Sequence, residues 1–431
     1  MEDLRFSFVA WPKVGCHTNA EVAVSIIQTL WFLVIFPMPV ILFFRCSSNF
    51  SPFSPALLSH AFYARMDMTS LTESPMKIMI YTVSALTSAL LALTARAEIE
   101  IDPDATIHDS PTTLIGVNHI GLSVKNLEST LAFYQSVSGF KLVSRQSFRN
   151  SAAADQLFGV DNVAYEIAVL EAPNMLFEFI QFEHNAYTQM RKMPVNGPGM
   201  THTCFQSASN DSGYEKFSDA GAAILSYGNQ PIDLGGYGVT YAYGYDPEGN
   251  MFEMEQLDSG PLAQIETNLR WIDEGHSMWM TQVALVTHDI ERLTNWYSDV
   301  MAFRPYRVGD YEGHPRMAEV AGEPYLSLLA SWFRMDSHAK TIELWQYRDP
   351  ITPEPTGKKG VTDFGYTFSI EVGDISAEYD RMTSLGVEFV SEPIDMGEYH
   401  QVYAHDIDGN VFALRQWNSP SSQFSVPNLE Q

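Results

Sequence analysis

Basic side chains are scarce in this sequence. Only 25 Lys and Arg stand against 52 Asp and Glu in 431 residues, leaving a formal charge of −27. A nucleic-acid partner needs a basic surface, so that class is excluded, although the balance names no substrate. Cysteine is scarcer still, with Cys16, Cys46 and Cys204 the full set. What is abundant is ordinary globular material: 45% hydrophobic and 18% charged residues, in a length that holds roughly two to four domains.

Two long apolar runs occur near the start. The second, Met76 to Ala97, has a basic start at Lys77, an apolar middle and Ala95-Arg96-Ala97 before Glu98. That is the layout of a secretory signal peptide with its cleavage site, and no cysteine follows to carry a lipid. The first run, Val22 to Phe44, is long enough to span a bilayer but is broken by Pro37 and Pro39. Residues 1–75 are therefore expected to be an over-extended gene start, with a membrane anchor as the rival. Either way the folded part lies outside the cytoplasm, exported to the periplasm or secreted. Cleavage after Ala97 would leave Cys204 alone, so no internal disulfide could form.

From residue 115 one pattern is written four times. The first copy has the strand VNHIGLSV at 117–124, a helix opened by Asn126 and closed by Gly139, and a last strand MLFEFIQF at 175–182. The second has MTHTCFQS at 200–207, a short helix before Gly221, and DPEGNMFEMEQ at 246–256. The third and fourth repeat the first two, with MTQVALV, an Asp289 cap and TIELWQY, then FGYTFSIEV, an Asp374 cap and DIDGNVFALRQW. Polar caps and glycines bound the helices, and the D-x-x-G-N stretches are turn signals. Position 119 maps to 282, 202 to 366, 178 to 343 and 253 to 413, so the offsets stay between 160 and 165. The fold class is thus α+β: four βαβββ modules, each exposing one face of a short sheet and pairing to close a cleft.

The H-I-G-L-S-V start, the helix carrying Phe133-Tyr134 and the D-P-x-G-N-x-x-E end resemble the vicinal oxygen chelate superfamily, which includes glyoxalase I, extradiol dioxygenases and bleomycin-resistance proteins. The resemblance covers 115–417. It implies two domains, 113–258 from modules one and two with the metal site, and 276–418 from modules three and four with a degenerate one. The middle of each module's first and last strand holds, in the first two copies, His119, Glu178, His202 and Glu253. A bare carboxylate on an apolar sheet face is expensive, and a divalent cation compensates two carboxylates and two imidazoles at once. Glyoxalase I carries the same His/Glu/His/Glu set at these positions. Copies three and four hold Gln282, Glu343, Tyr366 and Ala413 there. Sequential pairing is preferred because it completes the more strongly ligating set. The exchanged pairing, two with three and one with four, gives Gln282, Glu343, His202 and Glu253 instead.

The implied chemistry is that of a metal-dependent lyase or isomerase of the glyoxalase I type, acting on a small molecule that chelates through adjacent oxygens. Glu253 is the expected general base and Glu178 the second candidate, with Glu255 able to exchange roles with Glu253. The metal would be Ni, Co or Zn, with Fe or Mn also admitted. An Fe(II) extradiol dioxygenase and a ligand-sequestering protein are the alternatives. Tyr237, Tyr241, Tyr243 and Tyr245 share one strand face and are candidates to line a pocket; Arg145 and Arg149 are weak anion-binding candidates. A homodimer is compatible with the family. The remaining histidines, His314 among them, read as surface or loop residues, and the tail after Trp417 as a polar terminus with little structure.

Overall fold

The computed structural model describes residues 99–183, 192–208, 212–234, 239–257, 266–336 and 340–429. All of them belong to the second of two compact units, Glu98–Gln431. The expected signal peptide, and the extension or anchor before it, lie outside the described residues.

Four modules follow one another. Module 1 is β1 (Leu114–Ser123), α1 (Leu127–Ser138), β2 (Lys141–Phe148), α2 (Ala152–Phe158), β3 (Tyr165–Glu171) and β4 (Leu176–Phe182). Module 2 is β5 (Gly199–His202), β6 (Cys204–Ser207), α3 (Gly213–Asp219), β7 (Ala223–Ile224), β8 (Ile232–Asp233), β9 (Val239–Tyr245) and β10 (Met251–Leu257). After α4 (Glu266–Asp273), module 3 has β11 (Met278–Met280), β12 (Gln282–Val286), α5 (Ile290–Met301), β13 (Arg307–Glu312), α6 (Pro315–Ala321), β14 (Ser327–Arg334) and β15 (Thr341–Asp349). Module 4 is β16 (Gly365–Val372), α7 (Ile375–Ser384), β17 (Glu388–Phe389), β18 (Ile394–Asp395), β19 (Tyr399–His405) and β20 (Val411–Trp417), with α8 (Val426–Leu429) last. The expected caps are in place: Asn126, Asp289 and Asp374 each accept a backbone N–H of the first turn. Module 3 departs at its helix end, where Ala302 rather than glycine takes the left-handed conformation at φ 58°. The short helices α2 and α6 are additions to the expected βαβββ order.

The sequential pairing of modules does not occur. Module 1 joins module 4 in one sheet, ordered β17-β19-β20-β16-β1-β4-β3-β2, through the antiparallel β1–β16 junction. Module 3 joins module 2 through β12 and β5, while β11 pairs with β6 in a second short sheet. The segments 113–258 and 276–418 are therefore not separate domains, because each contributes half of both clefts. Every module offers a similar open first-strand edge, so local pattern leaves the partner undetermined.

Modules 1 and 2, and likewise modules 3 and 4, meet instead through their helices, in a single large core. Tyr134 of α1 stacks on Phe205 of module 2 and donates its hydroxyl to Asp246 at 3.2 Å. Tyr297 of α5 likewise reaches Asp406 of module 4 at 3.0 Å. Both aspartates belong to the D-x-x-G-N turns, where they also accept from the backbone and side chain of Asn250 and Asn410. The family-like motifs at helix and turn are thus two halves of one clamp. The tail is more ordered than its composition suggests: Phe424 packs on Trp417, and Val426 N–H binds Glu371 at 2.7 Å.

Candidate functional site

The cleft between modules 2 and 3 encloses a cavity of about 360 Å³. Its floor carries Glu253 and Glu255 from β10 and Glu343 from β15, with Gln282 from β12 beside them. The strand register explains this gathering. Cys204 pairs with Glu253 and Ala284 with Glu343, so both carboxylates stand on the concave side of parallel first and last strands. His202 turns its Nε2 to Glu253 at 3.0 Å, while its Nδ1 meets Thr201 Oγ1 at 2.9 Å. Glu343 accepts the indole N–H groups of Trp332, at 2.6 Å, and Trp345, at 3.1 Å. Glu255 accepts from Gln206 at 2.9 Å.

The electrostatics are those of acids short of a cation. Burial, then Glu255 and Glu343, raises the Glu253 carboxyl well above its usual range. Burial and the neighbouring Glu255 push Glu343 up to about 7. His202 is driven down to about 3 by burial and stays neutral, the state in which an imidazole ligates metal. The oxygens Gln282 Oε1 and Thr341 Oγ1, both of lining residues, are buried with no hydrogen-bond partner. Among the described residues, Cys204, Glu253 and Glu255 place their ligand atoms within 4.8 Å of one another. This trio fits a divalent ion: two carboxylates and a thiol, with the neutral His202 imidazole touching Glu253 beside them and, among the described residues, no guanidinium or ammonium in ion-pair contact. Basic groups stand only at the wall, where Arg307 lies over the Trp332 ring at 3.8 Å and Arg334 over Tyr306 at 4.2 Å.

The cleft between modules 1 and 4 is built on the same plan and answers it differently. Gly121 pairs with Glu178, and Ser369 with Ala413. Across modules Gly121 faces Thr367, as Ala284 faces His202. Thr367, not Tyr366, therefore occupies the place of His202, and Tyr366 turns into the main core. Arg415, the counterpart of Glu255, fills the position a cation would take. Its guanidinium binds Glu178 at 2.7 and 3.1 Å, is braced by Gln401 at 2.7 Å, and stacks on Tyr399 at 4.0 Å. His119 Nε2 lies 3.3 Å from Glu178. Burial, reinforced by the Arg415 charge, pushes His119 down to about 3. For Glu178, burial acts upward, but Arg415 and His119 outweigh it and hold the carboxyl below its ordinary range.

The four residues expected to converge are thus divided. His202 and Glu253 share one cleft with Gln282 and Glu343, and His119 and Glu178 face the other. Tyr241 lines the larger cavity, and Tyr243 stands edge-on to His202 with centroids 5.0 Å apart. Tyr245 packs in the same buried cluster, and Tyr237 lies outside the described residues. Arg145 lines neither cavity; it pairs with Glu128 and Glu166 on the exposed edge strand, and Arg149 pairs with Glu183. His314 is a loop residue, as expected, but it caps α6 and lines the larger cavity. Arg415 and Cys204 were missed. The signal for Arg415 was present: a lone cation inside the apolar strand VFALRQW, at the repeat position of Glu255.

The profile of the Glyoxalase/Bleomycin resistance protein/Dioxygenase superfamily matches residues 116–254 and 279–414. The Arabidopsis thaliana protein "Glyoxylase I 4" is 25% identical over 156 residues, which is 36% of this chain and 79% of that one. Among solved structures, glyoxalase I from Zea mays is 17% identical with a TM-score of 0.46, covering 72% of this chain and 94% of its own. A putative dioxygenase from Bacillus subtilis is 12% identical with a TM-score of 0.45, covering 74% and 91%. With two profile matches that together span more than half of its length, the chain belongs to the Glyoxalase/Bleomycin resistance protein/Dioxygenase superfamily.

Proposed function

We propose that the chain is a metal-dependent lyase or isomerase of the glyoxalase type, working from the cleft between modules 2 and 3. The observation that carries this reading is the contrast between the clefts: one buried carboxylate is answered by Arg415, whereas Glu253, Glu255 and Glu343 have no such partner among the described residues. His202 and Glu253 would hold a borderline divalent ion (Ni, Co or Zn), with Gln282 and Glu343 facing it across the cavity. When bound, the ion supplies Lewis-acid polarisation of a substrate oxygen. Glu253 moves a proton between adjacent substrate carbons; burial, with Glu255 and Glu343 beside it, makes it a stronger base than an ordinary carboxylate. Trp332 and Trp345 fix Glu343 by donating to both its oxygens, and their rings exclude water from that wall.

The substrate is a small molecule presenting two neighbouring oxygens. The layout of residues 76–97 argues that it is met outside the cytoplasm, which weighs against a glutathione adduct. The dioxygenase reading is the weaker one, because its two-histidine, one-carboxylate face would need a second histidine beside His202; His119 lies in the other cleft, and among the described residues neither it nor His314 groups with His202 and Glu253 at ligand distance. Purified protein should carry about one equivalent of a borderline metal and turn over a hemithioacetal without oxygen. Oxygen uptake with a catechol would favour the dioxygenase instead. Tight binding of such compounds by metal-free protein, without turnover, would favour sequestration.

A further inference from the structure

Position 204 recurs in each module as the residue that pairs with the last strand's central position. Its counterparts are Gly121, Ala284 and Ser369, opposite Glu178, Glu343 and Ala413. None of the three is a strong metal ligand. Only module 2 sets a thiol there, fully buried and opposite a carboxylate. Two residues further, Gln206 pairs with Glu255 and donates to it at 2.9 Å, while its own oxygen is held by the Trp279 indole at 2.8 Å. Glu255 is therefore anchored over the thiol by a two-bond chain, and the ligand atoms of Cys204, Glu253 and Glu255 lie within 4.8 Å of each other. One ion with bonds of roughly 2.0–2.3 Å to oxygen and sulfur holds such atoms up to about 4.3 Å apart, so at most a small inward movement of these side chains closes the site. His202, outside this trio, sets its imidazole 3.0 Å from Glu253, and the equivalent of Glu255 in the sister cleft is a guanidinium. One cleft brings its own cation to this spot, and the other brings ligands.

Resting on the metal reading above, we propose that the ion sits against the module 2 wall, with the Cys204 thiolate as a ligand alongside Glu253 and Glu255. Gln282 and Glu343, on the facing wall, are then left to meet the substrate. A soft sulfur ligand among carboxylates selects zinc, cobalt or nickel over magnesium and calcium. It also gives the site a spectroscopic signature that an all-nitrogen-and-oxygen set lacks.

The test is cobalt(II) loading of the full chain, read by absorption rather than activity. Visible ligand-field bands report that cobalt is bound, and a near-ultraviolet sulfur-to-cobalt charge-transfer band reports the thiolate. The expected result is both sets in the wild type, with Cys204→Ser keeping the visible bands and losing the near-ultraviolet one. Should Cys204→Ser fail to fold, X-ray absorption of the zinc-loaded wild type decides, by a sulfur shell at about 2.3 Å. Bound cobalt or zinc with no sulfur signature overturns the thiolate while leaving the metal reading standing. No cobalt bound at all overturns both.

Discussion

At the scale of the residue, the two clefts show how one position changes the meaning of another. Glu178 and Glu253 are equivalent by repeat, yet Arg415 makes the first half of an ion pair and leaves the second nothing comparable. Glu253→Gln is expected to lower turnover by about 10²–10⁴-fold with the fold intact. Glu178→Gln should spare turnover per folded molecule but lower stability by on the order of 3 kcal/mol, because the buried Arg415 loses its charged partner. Parallel kinetic and urea-denaturation measurements on the two variants separate these roles. His119 carries a pH effect of its own. Its folded-state pKa, about 3, lies below the unfolded value of 6.5, so the unfolded chain binds the extra proton. The stability it contributes is full above pH 6.5 and is lost as pH falls towards 3, at no more than about 1.4 kcal/mol per pH unit. Urea midpoints between pH 7 and 4 should fall less steeply in His119→Gln. Part of the slope will remain, because His202 is depressed in the same way.

At the scale of the element, much was legible. The 3.6-residue and two-residue periods, the polar caps and the D-x-x-G-N turns are local signals, and the structure places strands and helices where they point. The tyrosines of α1 and α5 show a local motif acquiring a long-range purpose, since each reaches the turn of the following module. Removing either hydroxyl, by Tyr134→Phe or Tyr297→Phe, should cost about 1–3 kcal/mol, seen as a lower thermal midpoint with cobalt binding unchanged. Ala302 is the place where local chemistry and backbone disagree. Its left-handed φ of 58° suits glycine, so Ala302→Gly should stabilise the chain by about 1 kcal/mol in urea unfolding. Less legible was the alignment of β16, where a one-residue slip exchanged Thr367 for Tyr366. Repeat counting cannot see a slip that only cross-strand pairing fixes.

At the scale of the whole molecule, pairing decides everything about the site. The β1–β16 and β12–β5 junctions both run between the two halves of the chain, and both clefts are completed within one chain. Residues 98–258 and 276–431, expressed together as separate chains, should therefore purify as a one-to-one complex on size exclusion. Two independent monomers would mean that each half closes its own cleft.

The sequence by itself determined four modules, their α+β character and the strand positions that carry His119, Glu178, His202 and Glu253, because each of these is written in short-range spacing. Which eligible residues meet was decided by the tertiary structure alone. Edges of similar shape can pair in more than one way, and only the packed chain, with its helices buried between neighbours and Arg415 seated on Glu178, selects one.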